Sequence, residues 1–209
     1  MQKNSYPGKF IVFEGIDGCG GETQSKKLVQ YLKKRGKPAQ LLSYPDYKGP
    51  VGKLIREYLY KRYNFSKEVQ LLLYFADFLK DKDKIQKWLQ EGKTIVSDRY
   101  FSSTLAYQCL NGFPVENALQ VSKLFELPVP DVIMYLDITP ETSIKRKIKE
   151  KNGKLDRHEA DKKFLTDLVK FYKQLVKKQV FSRWIVIDGE QSIEKVAKDI
   201  QTLLTKKLL

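Results

Sequence analysis

Phe10-Ile11-Val12-Phe13-Glu14-Gly15-Ile16-Asp17-Gly18-Cys19-Gly20-Gly21-Glu22-Thr23 is the stretch that decides the fold. Phe10 to Glu14 is an unbroken apolar run ending in a carboxylate. It does not alternate and is short, so it reads as a strand buried on both faces, as in a parallel sheet. Gly15 to Gly21 follows as a turn rich in glycine. From Thr23 to Arg35, Leu28, Val29, Tyr31 and Leu32 recur at helical spacing, and Gly36 stops the helix. Strand, glycine turn and helix in this order can point successive backbone amides and a helix N-terminus at an anion.

The same alternation continues outward. Ala39–Tyr44 reads as a second strand, closed by Pro45. Val51–Tyr60 and Lys67–Gln90 carry helical apolar spacing, the second as one long helix with Tyr74, Phe75 and Phe78. Thr94–Ser97 is a third strand running into Asp98-Arg99-Tyr100, with helices over Ser103–Leu110 and Val115–Phe125. Val132–Asp137 is the fourth strand, and Pro140 opens a helix in the position proline favours. Lys149–Lys154 is polar and broken by Gly153. A helix over Glu159–Lys178, a fifth strand over Trp184–Asp188 and a helix over Ile193–Leu204 complete the chain. The pattern predicts an α/β fold, a five-stranded parallel sheet with helices on both faces. It predicts one domain over residues 1–209, with one mobile lid at about 147–158.

Composition limits the function classes. The chain has 209 residues and a formal net charge of +14, which favours acidic partners. The lysines are spread along the whole chain, so a solvated basic surface is favoured over a nucleic-acid footprint. Cys19 and Cys109 form no paired motif and His158 is the sole histidine, which argues against a structural zinc site or a disulfide framework. No segment has membrane-spanning length. A cytoplasmic protein with no membrane partner is expected. Cys19 reads as a small residue that fits its turn.

The glycine turn matches the spacing of a phosphate-binding loop, GxxxxGK followed by Ser or Thr. Its eight positions are Gly15, Ile16, Asp17, Gly18, Cys19, Gly20, Gly21 and Glu22, with Thr23 next. Gly21 therefore stands where the lysine belongs, and Glu22 where the hydroxyl belongs. The lysine normally neutralises the transferring phosphate and the hydroxyl holds magnesium. Glu22 could ligate magnesium as a carboxylate. Taken alone, the turn reads equally as a nucleotide site or as an ordinary strand-to-helix connection. Asp98 and Arg99 follow the third strand, at the end of a parallel sheet where ligands bind. Asp98 could hold magnesium and Arg99 could fork onto a phosphate. On their own a local surface ion pair is slightly the favoured reading.

Four segments in order resemble the thymidylate kinase family of P-loop nucleoside monophosphate kinases. Phe13-Glu14-Gly15-Ile16-Asp17-Gly18 resembles that family's FEGxDG. Asp98-Arg99-Tyr100 with Ser103, Ala106, Tyr107 and Gln108 resembles DRYxxSxxAYQ. Asp137 to Glu141 with Arg146 resembles DxxPE…R, and Asp156-Arg157-His158-Glu159 resembles DRxE. The resemblance implies a P-loop NTPase fold with a small basic lid, ATP and magnesium as cofactors, phosphorylation of dTMP to dTDP, and a homodimer. It implies acceptor contacts from Asp17, Tyr47, Tyr74, Arg99, Ser103, Tyr107 and Gln108. Where the family usually has an arginine four residues after the base-stacking aromatic, this chain has Phe78. Lid cations, among them Arg146, Lys149, Lys151, Lys154 and Arg157, are candidates to replace the missing loop lysine. The rival readings are a kinase of another monophosphate such as dUMP, and a catalytically weak nucleotide-binding paralogue that acts as a regulator.

Overall fold

The computed structural model describes residues 4–207. The elements in order are β1 (Lys9–Glu14), α1 (Gly21–Lys34), β2 (Ala39–Ser43), α2 (Pro50–Leu59), α3 (Lys67–Leu79), α4 (Lys82–Gln90) and β3 (Thr94–Asp98). Then come α5 (Phe101–Leu110), α6 (Val115–Leu124), β4 (Val132–Asp137), α7 (Pro140–Lys151), α8 (Lys162–Lys177), β5 (Trp184–Asp188) and α9 (Ile193–Lys207). Five parallel strands lie in the order β2-β3-β1-β4-β5, with helices around them.

β1 is central because its side chains are apolar on both faces. Phe10, Ile11, Val12 and Phe13 are all fully buried, each removing about 1.5–3 kcal/mol worth of apolar surface from water. Phe13 pairs with Asp98 across to β3, and Ser43 of β2 also pairs with Asp98. The strands thus finish nearly level, and the segments after them gather at one edge of the sheet. Among the described residues, no helix is long and apolar enough to cross a membrane.

The long helix expected over Lys67–Gln90 is two helices, α3 and α4, broken at Lys80-Asp81. A knot of polar groups replaces continuous helix there. Lys80 Nζ donates to the Asp77 carbonyl at 2.7 Å and to Asp81 at 2.9 Å. Tyr44 Oη donates to Asp81 at 2.9 Å, and the Asp46 amide donates to Asp77 at 2.8 Å. The break fastens the segment after β2 to the end of α3. In the polar stretch near residue 150, α7 runs on to Lys151 and ends at Asn152, whose φ of 49° is left-handed.

Candidate active site

The glycine turn supplies bare backbone at the start of α1. Gly20 caps the helix at φ 96° and, as a glycine, makes no side-chain cap hydrogen bond. A helix N-terminus of this kind can meet an anion. The turn is braced by α7: Ser143 Oγ donates to the Asp17 carbonyl at 2.6 Å, and Arg146 Nη1 to the Gly18 carbonyl at 3.1 Å. Arg146 Nη2 donates to the Gly189 carbonyl at 3.0 Å, joining the segment after β5. Gly18 has φ 77°, and a side chain there would press on the Ser143 carbonyl. Cys19 is buried and its thiol is pushed up to about 12 by burial, so it packs rather than reacts.

Gly21 is the first residue of α1, and a Cβ there would overlap Asp98 Oδ1. The Asp98 carboxylate thus fills the space beside the lysine position. Burial pushes its pKa up to about 6, with Arg99 opposing and Glu14, Glu22 and Asp17 adding to the rise. Among the described residues no hydrogen bond reaches this carboxylate. Glu22 points along the helix surface to Lys26, 2.5 Å away, and its side chain is largely exposed.

Two pockets meet at this edge. One is lined by the turn from Asp17 to Gln24, by Asp98 and Arg99, by Arg146 and Lys147 of α7, and by the segment after β5. The other is lined by Asp17, Tyr47, Tyr74, Phe78, Arg99, Ser103, Tyr107, Gln108, Asp156 and His158, among others. Asp17 and Arg99 line both. Burial would raise the Asp17 carboxyl, but Arg99, Lys147 and His158, with the hydrogen bond from Tyr107, hold it below its ordinary value. Tyr107 Oη donates to Asp17 Oδ2 at 3.1 Å. Arg99 sits at φ 63°, a conformation that costs most residues about 1 kcal/mol or more.

Glu14 holds that corner from below. It is fully buried, and its carboxylate accepts from the Tyr100 amide (3.1 Å), Ser102 Oγ (2.6 Å), Ser103 Oγ (2.7 Å) and Tyr172 Oη (2.9 Å). Ser103 in turn accepts from Arg99 Nη1 at 3.3 Å. One carboxylate therefore fixes the segment after β3, the start of α5 and α8.

The structure brings most of the sequence-marked residues together and separates a few. Gln108 is buried in the second pocket, and its Nε2 has no partner. His158 is likewise buried there, stacked 4.7 Å from Phe164, with Nε2 unpartnered. Phe78 packs into an aromatic cluster, 5.0 Å from Tyr44 and 5.4 Å from Tyr100, leaving that wall apolar. Lys154 is exposed. Arg157 lies 4.0 Å over the Tyr58 ring and donates to the Tyr63 carbonyl at 3.0 Å. Lys151 is tied to Glu159 at 2.7 Å. None of these three lines the turn-side pocket. Lys147, which does, was missed. Its place four residues after Ser143, on the same helical face, was the available signal.

The family model for thymidylate kinase matches residues 13–200. Thymidylate kinase of Thermoanaerobacter sp. strain X514 is 37% identical over 96% of this chain and 99% of its own length. That of Danio rerio is 32% identical over 94% of this chain and 89% of its own. The solved structure of thymidylate kinase from Candida albicans superposes with a TM-score of 0.76 at 25% identity, covering 95% of this chain and 92% of that one. A parallel sheet, a glycine turn opening on α1, two pockets joined at Asp17 and Arg99, and these matches along nearly the whole length lead to one assignment: the chain belongs to the thymidylate kinase family.

Proposed function

We propose that the protein transfers the γ-phosphoryl group of ATP to dTMP, giving ADP and dTDP. The observation that carries this is the pair Asp17 and Arg99 standing in the wall common to both pockets. ATP lies over the turn from Gly15 to Thr23. dTMP lies in the second pocket, with Tyr47 and Arg99 toward its phosphate, Asp17 and Tyr107 toward its sugar, and Tyr74, Ser103 and Gln108 toward its base. An oxygen of the dTMP phosphate bonds to the γ-phosphorus while the bond to the β–γ bridging oxygen breaks. That acceptor oxygen is already anionic, so the site needs positioning and charge stabilisation rather than a base.

Magnesium suits the Asp98 carboxylate, which lacks a hydrogen-bonding partner and is desolvated enough to welcome a cation. Among the described residues there is no cluster of three or more metal-ligating side chains. Asp98 would thus supply one ligand and the phosphates the others. When bound, the ion offsets phosphate charge. Glu22, paired to Lys26, is the weaker candidate ligand.

Residues 147–158 form the moving cover in this reading. The support is that Lys147 lines the ATP side while Asp156 and His158 line the dTMP side. A cover there would exclude water that otherwise hydrolyses ATP. A cytoplasmic homodimer is supported by the family resemblance and by the exposed Val69 and Leu72 on α3.

The test is ADP release from ATP and magnesium with dTMP, dUMP, dCMP, dGMP and dAMP offered separately. The expected result is a kcat/KM for dTMP at least tenfold above the others. No turnover with any acceptor overturns the proposal.

A further inference from the structure

We propose that Lys147 of α7 supplies, at the ATP polyphosphate, the positive charge that Gly21 leaves out of the loop. The proposal rests on the phosphoryl-transfer reading above and names a residue for it.

The vacancy is physical as well as chemical. Position 21 has no side chain, and the space beside it is taken by the Asp98 carboxylate. A triphosphate brought to this turn would face Asp98 and Glu22 with no loop cation between them. Some other cation must enter the pocket.

Among the described residues, three cations line the ATP pocket: Arg99, Arg146 and Lys147. Arg99 is committed to Asp17 and Ser103 at the acceptor wall. Arg146 is committed to two backbone carbonyls, Gly18 and Gly189, and works as a brace. Lys147 alone has a flexible stem over the turn. Its Cγ lies 3.4 Å from where a Gly18 Cβ would stand, so the bare glycine is what gives the stem room.

Its present partners release it readily. Glu150 holds Lys147 Nζ at 2.9 Å, but that carboxylate is 59% exposed, and an i,i+3 pair on a helix surface contributes little. Glu159 lies 3.4 Å away and keeps Lys151 at 2.7 Å when Lys147 leaves. A polyphosphate offers more charge than either. Binding exchanges two carboxylates for phosphate oxygens, with no buried charge left unpaired.

The test measures ATP, ADP and AMP affinity by calorimetry without dTMP, and turnover with dTMP, in four proteins. Lys147→Gln is expected to weaken ATP at least tenfold, leave AMP within about twofold and lower kcat about a hundredfold. Lys147→Arg is expected to recover most of both. Lys145→Gln, an exposed neighbour on α7, is expected to match the unaltered protein. Glu150→Gln, which frees Lys147 without touching the interior, is expected to tighten ATP about threefold with AMP unchanged, and it keeps the question open to measurement should Lys147→Gln fold poorly. Unchanged ATP affinity in Lys147→Gln, equal weakening of ATP and AMP, or no tightening in Glu150→Gln overturns the assignment. The two readings separate. An unaltered protein inactive on dTMP whose ATP affinity still depends on Lys147 sinks the substrate and keeps the lysine. Full dTMP turnover in Lys147→Gln sinks the lysine and keeps the substrate.

Discussion

Arg99 Nη2 donates to Asp17 Oδ1 over 2.8 Å, joining the corner after β3 to the turn after β1 across the wall between the two pockets. The guanidinium spans two directions at once, with Nη1 reaching Ser103. A lysine is a point charge and cannot make both bonds while offering a flat face to a phosphate. Arg99→Lys is expected to lower kcat/KM for dTMP at least a hundredfold, about 3 kcal/mol, and to lower kcat as well as raise KM, because the residue borders donor and acceptor. Steady-state kinetics with each substrate varied in turn would check this; a change confined to KM for dTMP would count against the shared-wall geometry.

Gly21 separates stability from activity. It opens α1 without a left-handed φ, so alanine suits the backbone there and offers up to about 1 kcal/mol of helix propensity. The new Cβ must push the Asp98 carboxylate aside. Gly21→Ala is expected to keep or slightly raise the thermal midpoint while lowering kcat about tenfold. Thermal unfolding and kcat measured on the same preparation decide it. An unimpaired kcat would mean that the position of Asp98 is immaterial.

His158 sets an acid limit on stability. Burial lowers its pKa to about 4 from an ordinary 6.5, with Arg157 and Arg99 pushing the same way and Asp17 opposing. Between pH 6.5 and about 4 the unfolded chain therefore holds more protons at this site than the folded one. Stability from this group rises with pH across that window and is lost as pH falls through it, by at most about 3 kcal/mol. His158→Phe, which keeps the stacking on Phe164, is expected to flatten that part of the profile. Denaturant unfolding of both proteins at pH 7.5, 6, 5 and 4.5 gives the comparison. Parallel profiles would remove His158 as the cause.

The sheet was legible because each strand is a short apolar run, and Phe10 to Glu14 followed by glycines leaves little choice. The break between α3 and α4 was not. Phe78, Leu79 and Ile85 continue the helical spacing straight through it, and no glycine or proline marks it. What ends α3 is a web of polar bonds in which Lys80 holds Asp77 and Asp81 locally while Tyr44, distant in sequence, reaches Asp81, and periodicity does not see it. That Asp17, Arg99, Ser103, Tyr107 and Gln108 would gather was legible, and the structure lines them up along one pocket. The lid cations were not. Charge alone could not rank Lys154, Arg157 and Lys147, since only the path of α7 decides which of them faces the turn.

Glu14 touches neither pocket, yet both depend on it. Three of its four bonds hold the segment that follows Arg99 and the fourth ties in α8, and Arg99 stands in the wall common to the two pockets. With the nucleotides placed as proposed, donor and acceptor inherit their alignment from a single interior carboxylate. A disturbance there misplaces both ends of the reaction by a correlated amount, and small-molecule inhibitors built to bridge the two nucleotides would bind a fixed span rather than an adjustable one.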